Sequence, residues 1–191
     1  MKKKILQKTI FLKGEGDKWL FRNKKIDKKK FNQFKNIIKY FNKVLKKFKK
    51  KKVNILEVGS SNGNFLDIIG KKFKNCILYG IDPSKKAIKE LNKKNILGKV
   101  ATADNLPFKK NSMDIIYYGF CLYLCDEIDY KKIFLNAKRV LKKNGYLIIY
   151  DFYSENFIKK KYKHHSRIFS HKMDFRNIFS RQKKFTSISH K

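Results

Sequence analysis

The chain has 191 residues. That length fits one domain, two at most, and lets a real core form, with about 70% of the unfolded surface removed from water. At 42% hydrophobic and 15% aromatic it is not a disordered tail, although 49 Lys and Arg against 15 Asp and Glu leave a formal charge of +34. The basic residues divide into 44 Lys and only 5 Arg, beside 16 Asn and 4 Ala. Arginine is the usual reader of nucleic acid through bidentate bonds. The charge therefore reads either as the residue of an AT-rich coding bias or as a surface for a polyanion such as RNA. Cys76, Cys121 and Cys125 form no CxxC pair and no even-numbered disulfide framework, which fits a reducing, cytoplasmic setting. The opening Met1-Lys2-Lys3-Lys4-Ile5-Leu6 starts like a signal peptide, but Gln7, Lys8 and Lys13 interrupt the apolar stretch. The longest apolar run, residues 115–125, is too short to span a bilayer, so no membrane span is expected.

In chain order, residues 1–30 read as irregular and basic, with one aromatic cluster at Trp19-Leu20-Phe21. Phe31, Phe34, Ile38, Phe41, Leu45 and Phe48 recur at three- and four-residue steps and predict an amphipathic helix over 31–48, core-facing rather than membrane-bound. After four lysines the texture changes. Val53-Asn54-Ile55-Leu56-Glu57-Val58 is a short buried strand ending in Gly59. From there strands are predicted at 77–81, 99–102, 114–118 and 146–152, with helices at 65–73, 84–92 and 130–141 between them. The last helix is expected to stop at Lys142-Lys143-Asn144-Gly145, with Gly145 as a left-handed cap. Such alternation predicts an α/β fold, a doubly wound and mostly parallel sheet. Ligands of these sheets bind beyond the carboxyl ends of the strands, at the topological switch point.

The first strand runs through Glu57-Val58-Gly59-Ser60-Ser61-Asn62-Gly63-Asn64 into a helix. Gly59 permits a tight turn, and Gly63 lets a ligand approach the helix start. The dinucleotide fingerprint Gly-x-Gly-x-x-Gly fails at Ser61 and Asn64, which argues against NAD or FAD. The second strand ends at Asp82, placed to accept hydrogen bonds from ribose hydroxyls, while Asp82-Pro83-Ser84 also suits a helix start. The third leads to Ala103-Asp104-Asn105-Leu106-Pro107-Phe108. In their order and spacing these elements resemble the class I S-adenosylmethionine-dependent methyltransferases, of the small type 11 kind, over about residues 53–152. Arg139-Val140-Leu141-Lys142 before the fifth strand belongs to the same likeness.

The resemblance implies a Rossmann-like fold with S-adenosyl-L-methionine as methyl donor. It places Glu57, Gly59, Ser61 and Gly63 around the methionyl end, Asp82 on the ribose, and Asp104 with Leu106 at the adenine. Phe120, after the fourth strand, completes the cofactor set. The family closes its sheet with two further strands. Only 39 residues follow Phe152, which leaves one strand at 185–188 and no room for a hairpin, so the C-terminal edge is expected to be incomplete. The Asn105-Leu106-Pro107-Phe108 stretch resembles an element of adenine-N6 nucleic-acid methyltransferases but precedes the fourth strand instead of following it.

A sulfonium methyl is already electrophilic, so the protein mainly aligns and desolvates. Where an acceptor needs a base, the candidates are Tyr123, His164 and His165. The histidines and cysteines lack the ligand spacing of a metal site. The expected organisation is a basic arm and amphipathic helix over residues 1–50 capping the site, a cofactor-binding core over 51–153, and a segment over 154–191 contributing to the acceptor pocket. Residues 162–179 and Gly14-Glu15-Gly16-Asp17-Lys18-Trp19 look like segments of type 11 enzymes of surface-carbohydrate pathways. The expected acceptor is accordingly a small molecule or saccharide-linked group. RNA and a truncated, non-catalytic relative are the alternatives. Trp19 and Phe21 are candidates for a lid.

Overall fold

The computed structural model describes residues 5–23, 27–49 and 51–180, apart from the side chains of 27–33 and 180. The strand expected at 185–188 lies outside the described residues, as does the side chain of Phe31. The elements are α1 (Gln7–Ile10), a wide helical turn (Phe11–Glu15), α2 (Gly16–Asn23), α3 (Asp27–Lys46), β1 (Val53–Val58), α4 (Asn64–Lys72), β2 (Cys76–Asp82), α5 (Lys85–Leu91), β3 (Leu97–Val100), β4 (Met113–Gly119), α6 (Tyr130–Val140), β5 (Leu141–Tyr150), β6 (Ile158–Lys161), β7 (Phe169–Lys172) and α7 (Asn177–Ser180).

Five strands form one parallel sheet in the order β3-β2-β1-β4-β5. The strand order reverses at β1, between β2 and β4, which opens a crevice above their carboxyl ends. β1 is covered on both faces, and its run of Val53, Ile55, Leu56 and Val58 is almost fully buried. Successive side chains alternate between the faces. Leu56 and Val58 join Ile116, Tyr118 and the α6 residues Ile133, Phe134, Ala137 and Val140. Val53 and Ile55 join Ile115, Tyr117, the α3 residues Ile37, Phe41 and Leu45, and the α4 residues Phe65, Leu66 and Ile69. The Phe spacing of α3 inserts Phe41 between Phe65 and Tyr117, with ring centroids 5.3 and 5.4 Å away.

Four expectations are corrected. The arm is not irregular, because residues 7–23 are helical with one break. It carries little apolar periodicity, and its helices are held by long-range bonds instead. β3 lies two residues earlier than expected, since an edge strand this exposed has a weak apolar signature. α6 ends at Val140, and the left-handed residue of the following turn is Asn144 at φ 63°, not Gly145. Gly145 serves close approach instead, because a Cβ there would lie 2.9 Å from the Asp114 carbonyl oxygen. Finally, a hairpin does form after β5. β6 and β7 pair antiparallel as a separate two-stranded sheet, in a segment whose lysines disguised it as a solvated run. Among the described residues the main sheet ends at β5 without the antiparallel closure.

Candidate functional site

The loop leaving β1 is shaped by backbone that favours glycine. Gly59 sits at φ 76° and Gly63 at φ 74°. A Cβ on Gly59 would lie 2.9 Å from that of Cys121, and one on Gly63 would lie 2.9 Å from the Leu91 side chain. The N–H groups of Gly59 and Ser60 both donate to the Ile81 carbonyl at 2.9 Å, tying the loop to the end of β2. Ser61, at φ 48°, takes the left-handed conformation without glycine, and its N–H donates to Asp82 Oδ2 at 2.9 Å. The Ser84 N–H donates to Asp82 Oδ1 at 2.8 Å, and the Ser84 hydroxyl caps α5 through the Ala87 N–H. Asp82 and Ser84 thus share the helix start. Burial pushes the Asp82 carboxyl up to about 6, although both N–H groups oppose the rise. Glu57, on the last turn of β1, is buried with no hydrogen-bond partner for Oε2 among the described residues. Burial, and then the Asp82 charge, hold its carboxyl well above the usual range.

The second wall is the loop before β4. Asp104 Oδ1 accepts from the Thr102 hydroxyl at 2.8 Å, and Oδ2 from Lys8 Nζ at 2.5 Å. Burial raises the Asp104 carboxyl, but Lys8 and Thr102 outweigh it and hold the group below its ordinary value. Lys8 also donates to Asp129 Oδ1 at 2.7 Å. α6 frames this loop. Asn136 donates to the Asp104 carbonyl, and Arg139 donates to the carbonyls of Leu106 and Phe108. The Leu106 N–H bonds to Asn136 as well, so both backbone groups of Leu106 turn towards α6.

The floor is the loop after β4. Asp151, one residue past β5, accepts the N–H groups of Cys121, Leu122 and Tyr123 on a single oxygen at 3.0, 2.8 and 3.3 Å. Burial pushes its carboxyl up to about 6 against those bonds. The sequence reading passed over Asp151. Its signal was an acidic residue closing an apolar strand.

These walls enclose a cleft of about 770 Å³, open mouth included. Gly59, Asp82, Asp104 and Phe120 line it. Glu57, Ser61, Gly63 and Leu106 do not, and act as its frame. The arm supplies Lys8, Phe11, Gly16 and Trp19 as a roof. Of the two lid candidates, Trp19 faces the cleft, whereas Phe21 is 80% exposed. α3 packs on the far face of the sheet.

None of the three candidate bases lines the cleft. The Tyr123 phenol is pushed up by burial and shares a hydrogen bond with the Trp19 side chain. His164 is exposed against the Tyr162 ring, and His165 Nδ1 accepts the Arg167 N–H at 3.2 Å. Among the described residues the buried histidine is His171, whose Nδ1 lies 3.0 Å from the Cys125 carbonyl. Among the described residues no metal-ligating cluster exists, and no helix is long and apolar enough to cross a membrane.

The donor set fits S-adenosylmethionine. A cradle that a Cβ would fill, a strand-end carboxylate and an orphaned buried carboxyl oxygen stand together at the switch point. The comparisons agree. The family described as "Methyltransferase domain" matches residues 56–149. A Methanocaldococcus jannaschii protein, MJ1123, is 34% identical over 56% of this chain, which spans about half (48%) of that relative's length. The Haloferax volcanii protein solved in complex with the Trm112 methyltransferase activator superimposes with a TM-score of 0.53 at 19% identity, over 68% of this chain and 60% of its own. The PH0226 protein of Pyrococcus horikoshii gives 0.50 at 20% identity, over 61% and 57%. The family match lies on the loop, sheet and crevice described above, and over residues 56–149 the chain is similar to the class I S-adenosylmethionine-dependent methyltransferases.

Proposed function

We propose that the protein transfers a methyl group to a small-molecule or saccharide-linked acceptor by direct in-line displacement. The observation that carries this reading is Asp82, held at the end of β2 by the Ser61 and Ser84 N–H groups with its carboxylate on the cleft. When bound, S-adenosylmethionine supplies an electrophilic sulfonium methyl. The protein's part is to hold and to exclude water. Asp82 would accept the ribose hydroxyls, the Asp104 carboxylate would accept the adenine amino group, and Glu57 lies beneath the loop at the methionyl end. Phe11, Trp19 and Phe120 form an apolar enclosure that keeps water from the reacting line. Since Tyr123, His164 and His165 do not line the cleft, the reaction is proposed to rest mainly on alignment and desolvation. The roof favours a small acceptor over RNA, because the arm crosses the cleft mouth.

Calorimetric titration with S-adenosylmethionine and S-adenosylhomocysteine tests the reading. Micromolar binding, about −8 kcal/mol, is expected, with a loss of about tenfold or more in Asp82→Ala. A cooperatively folded chain that binds neither compound would refute it, and the non-catalytic alternative would take its place.

A further inference from the structure

A second cavity lies on the outer side of the arm. It encloses about 590 Å³, mouth included, between the 5–18 segment and the loop joining β6 to β7. Lys13, Lys18, His165 and Arg167 line it. Its one carboxylate, Glu15, is buried and ion-paired with Arg22. The ammonium groups of Lys13 and Lys18 and the Arg167 guanidinium make no hydrogen bond or ion pair among the described residues. Three exposed cations therefore line one concavity whose single carboxylate is already paired.

Coding bias explains a lysine anywhere on this surface, but not Arg167. Arginine occurs five times in the chain. Arg22 pairs with Glu15, Arg139 frames the Leu106 loop, and Arg176 pairs with Asp174. Arg167 alone among the described arginines has an unengaged guanidinium, and a guanidinium is the group matched to a forked oxyanion. Gly14 adds the shape. Its φ of 122° breaks the helical run, so that Lys13 and Lys18 face one cavity, and nothing lies within 4 Å of where its Cβ would stand.

The arm is a one-element partition between this cavity and the cofactor cleft. Neighbouring residues face opposite sides: Ile10, Glu15 and Lys18 outward, Phe11, Gly16 and Trp19 inward. We propose that the outer cavity is an oxyanion site that takes the terminal phosphate or diphosphate of a small molecule. A concave cluster suits a terminal group, whereas a polymer backbone calls for a stripe of charge.

The test is titration of the full chain with inorganic pyrophosphate at fixed ionic strength, in wild type, Arg167→Glu and Lys13→Glu/Lys18→Glu. Lys93→Glu and the double variant Lys89→Glu/Lys93→Glu, at exposed lysines that line neither cavity and whose side chains make no hydrogen bond or ion pair among the described residues, are the charge-matched controls for the single and double cavity variants. Pyrophosphate affinity is expected to fall about tenfold or more in each cavity variant and less than about twofold in its control. Equal losses in cavity and control variants would overturn the proposal, because attraction would then be diffuse. So would no pyrophosphate binding by the wild type, or a single-stranded RNA that binds more tightly than pyrophosphate and is lost in Arg167→Glu. S-adenosylhomocysteine titrated into the same samples reads the cleft separately. Pyrophosphate binding without it would remove the methyl-transfer reading while the oxyanion site stands.

Discussion

Asp82 carries a structural and a ligand-binding load, and they respond to pH in opposite senses. Its carboxyl is raised by burial to about 6 from an ordinary 3.8. A carboxyl raised on folding binds more protons in the native state, so its contribution to stability is full below the ordinary value and is lost as pH rises towards 6. Asp151, also raised to about 6, adds to the same slope. Ribose hydroxyls, however, donate to the ionised carboxylate, so ligand affinity grows over the same window. The expected outcome is a melting temperature of the free protein that falls from about pH 4 to pH 6.5, and a shift by S-adenosylhomocysteine that is larger at pH 7 than at pH 5. A ligand shift independent of pH would remove Asp82 from the ribose. Asp82→Asn keeps an oxygen for the Ser61 or Ser84 N–H and should flatten the pH slope of stability while weakening binding.

At the scale of elements, the arm and α3 depend on different physics. The arm is fastened by polar bonds across long sequence separation. The Gln7 N–H donates to Asp126 Oδ2 at 2.6 Å, and the Gln7 amide donates to the Leu124 carbonyl. Lys8 sits between Asp104 and Asp129, whose side chains are only 10% and 6% exposed. Lys8→Met would leave two poorly hydrated carboxylates facing each other, at a cost of about 1–3 kcal/mol, read as a lower denaturation midpoint at pH 7. The loss should shrink as pH falls below about 4, where the Asp104 carboxyl, which Lys8 holds below its ordinary value, takes up its proton, and a pH-independent loss would mean that packing alone is at stake. α3 is fastened by apolar burial. Phe41 has no exposed surface, and Phe41→Ala is expected to cost about 3–5 kcal/mol. Phe41 lies on the face of the sheet away from α6, so ligand affinity per folded molecule should be unchanged. A drop in affinity would mean that α3 also sets the glycine loop.

At the scale of the whole molecule, the charge of +34 is not repeated in the cleft, whose lining includes Asp82, Asp104, Asp126 and Asp129 with Lys8. The sheet ends at β5 among the described residues, and the β6–β7 hairpin packs on the arm instead of extending it. Gln7 Oε1 accepts the Phe169 N–H at 2.5 Å, and Ile168 packs with Ile10 and Phe11. Arm and hairpin thus stabilise each other. Removing residues 5–23 should release the hairpin, seen as loss of amide protection over 158–172 with β1 and β4 unaffected.

The central sheet, its crossover helices and the glycine–acid loop were legible in the sequence, because they rest on local rules. A strand buried on both faces must be a continuous apolar run, a helix on a sheet must repeat at three and four residues, and a ligand-approached turn excludes Cβ. Gly59 and Asp82 stood out for that reason, while Glu57 and Asp104 stood out through the family resemblance. The arm, the hairpin, Lys8, Asp151 and Arg167 were not legible. The first four depend on partners as far as 162 residues away, such as Phe169 for Gln7, and Arg167 depends on the cavity that folding builds beside it, so no local pattern encodes them. Tyr123, His164 and His165 show the converse. Residue type made them candidate bases, and only the tertiary structure, by setting the Tyr123 phenol against Trp19, leaving His164 exposed and placing His165 on the outer side of the arm, decided that none of them lines the cleft.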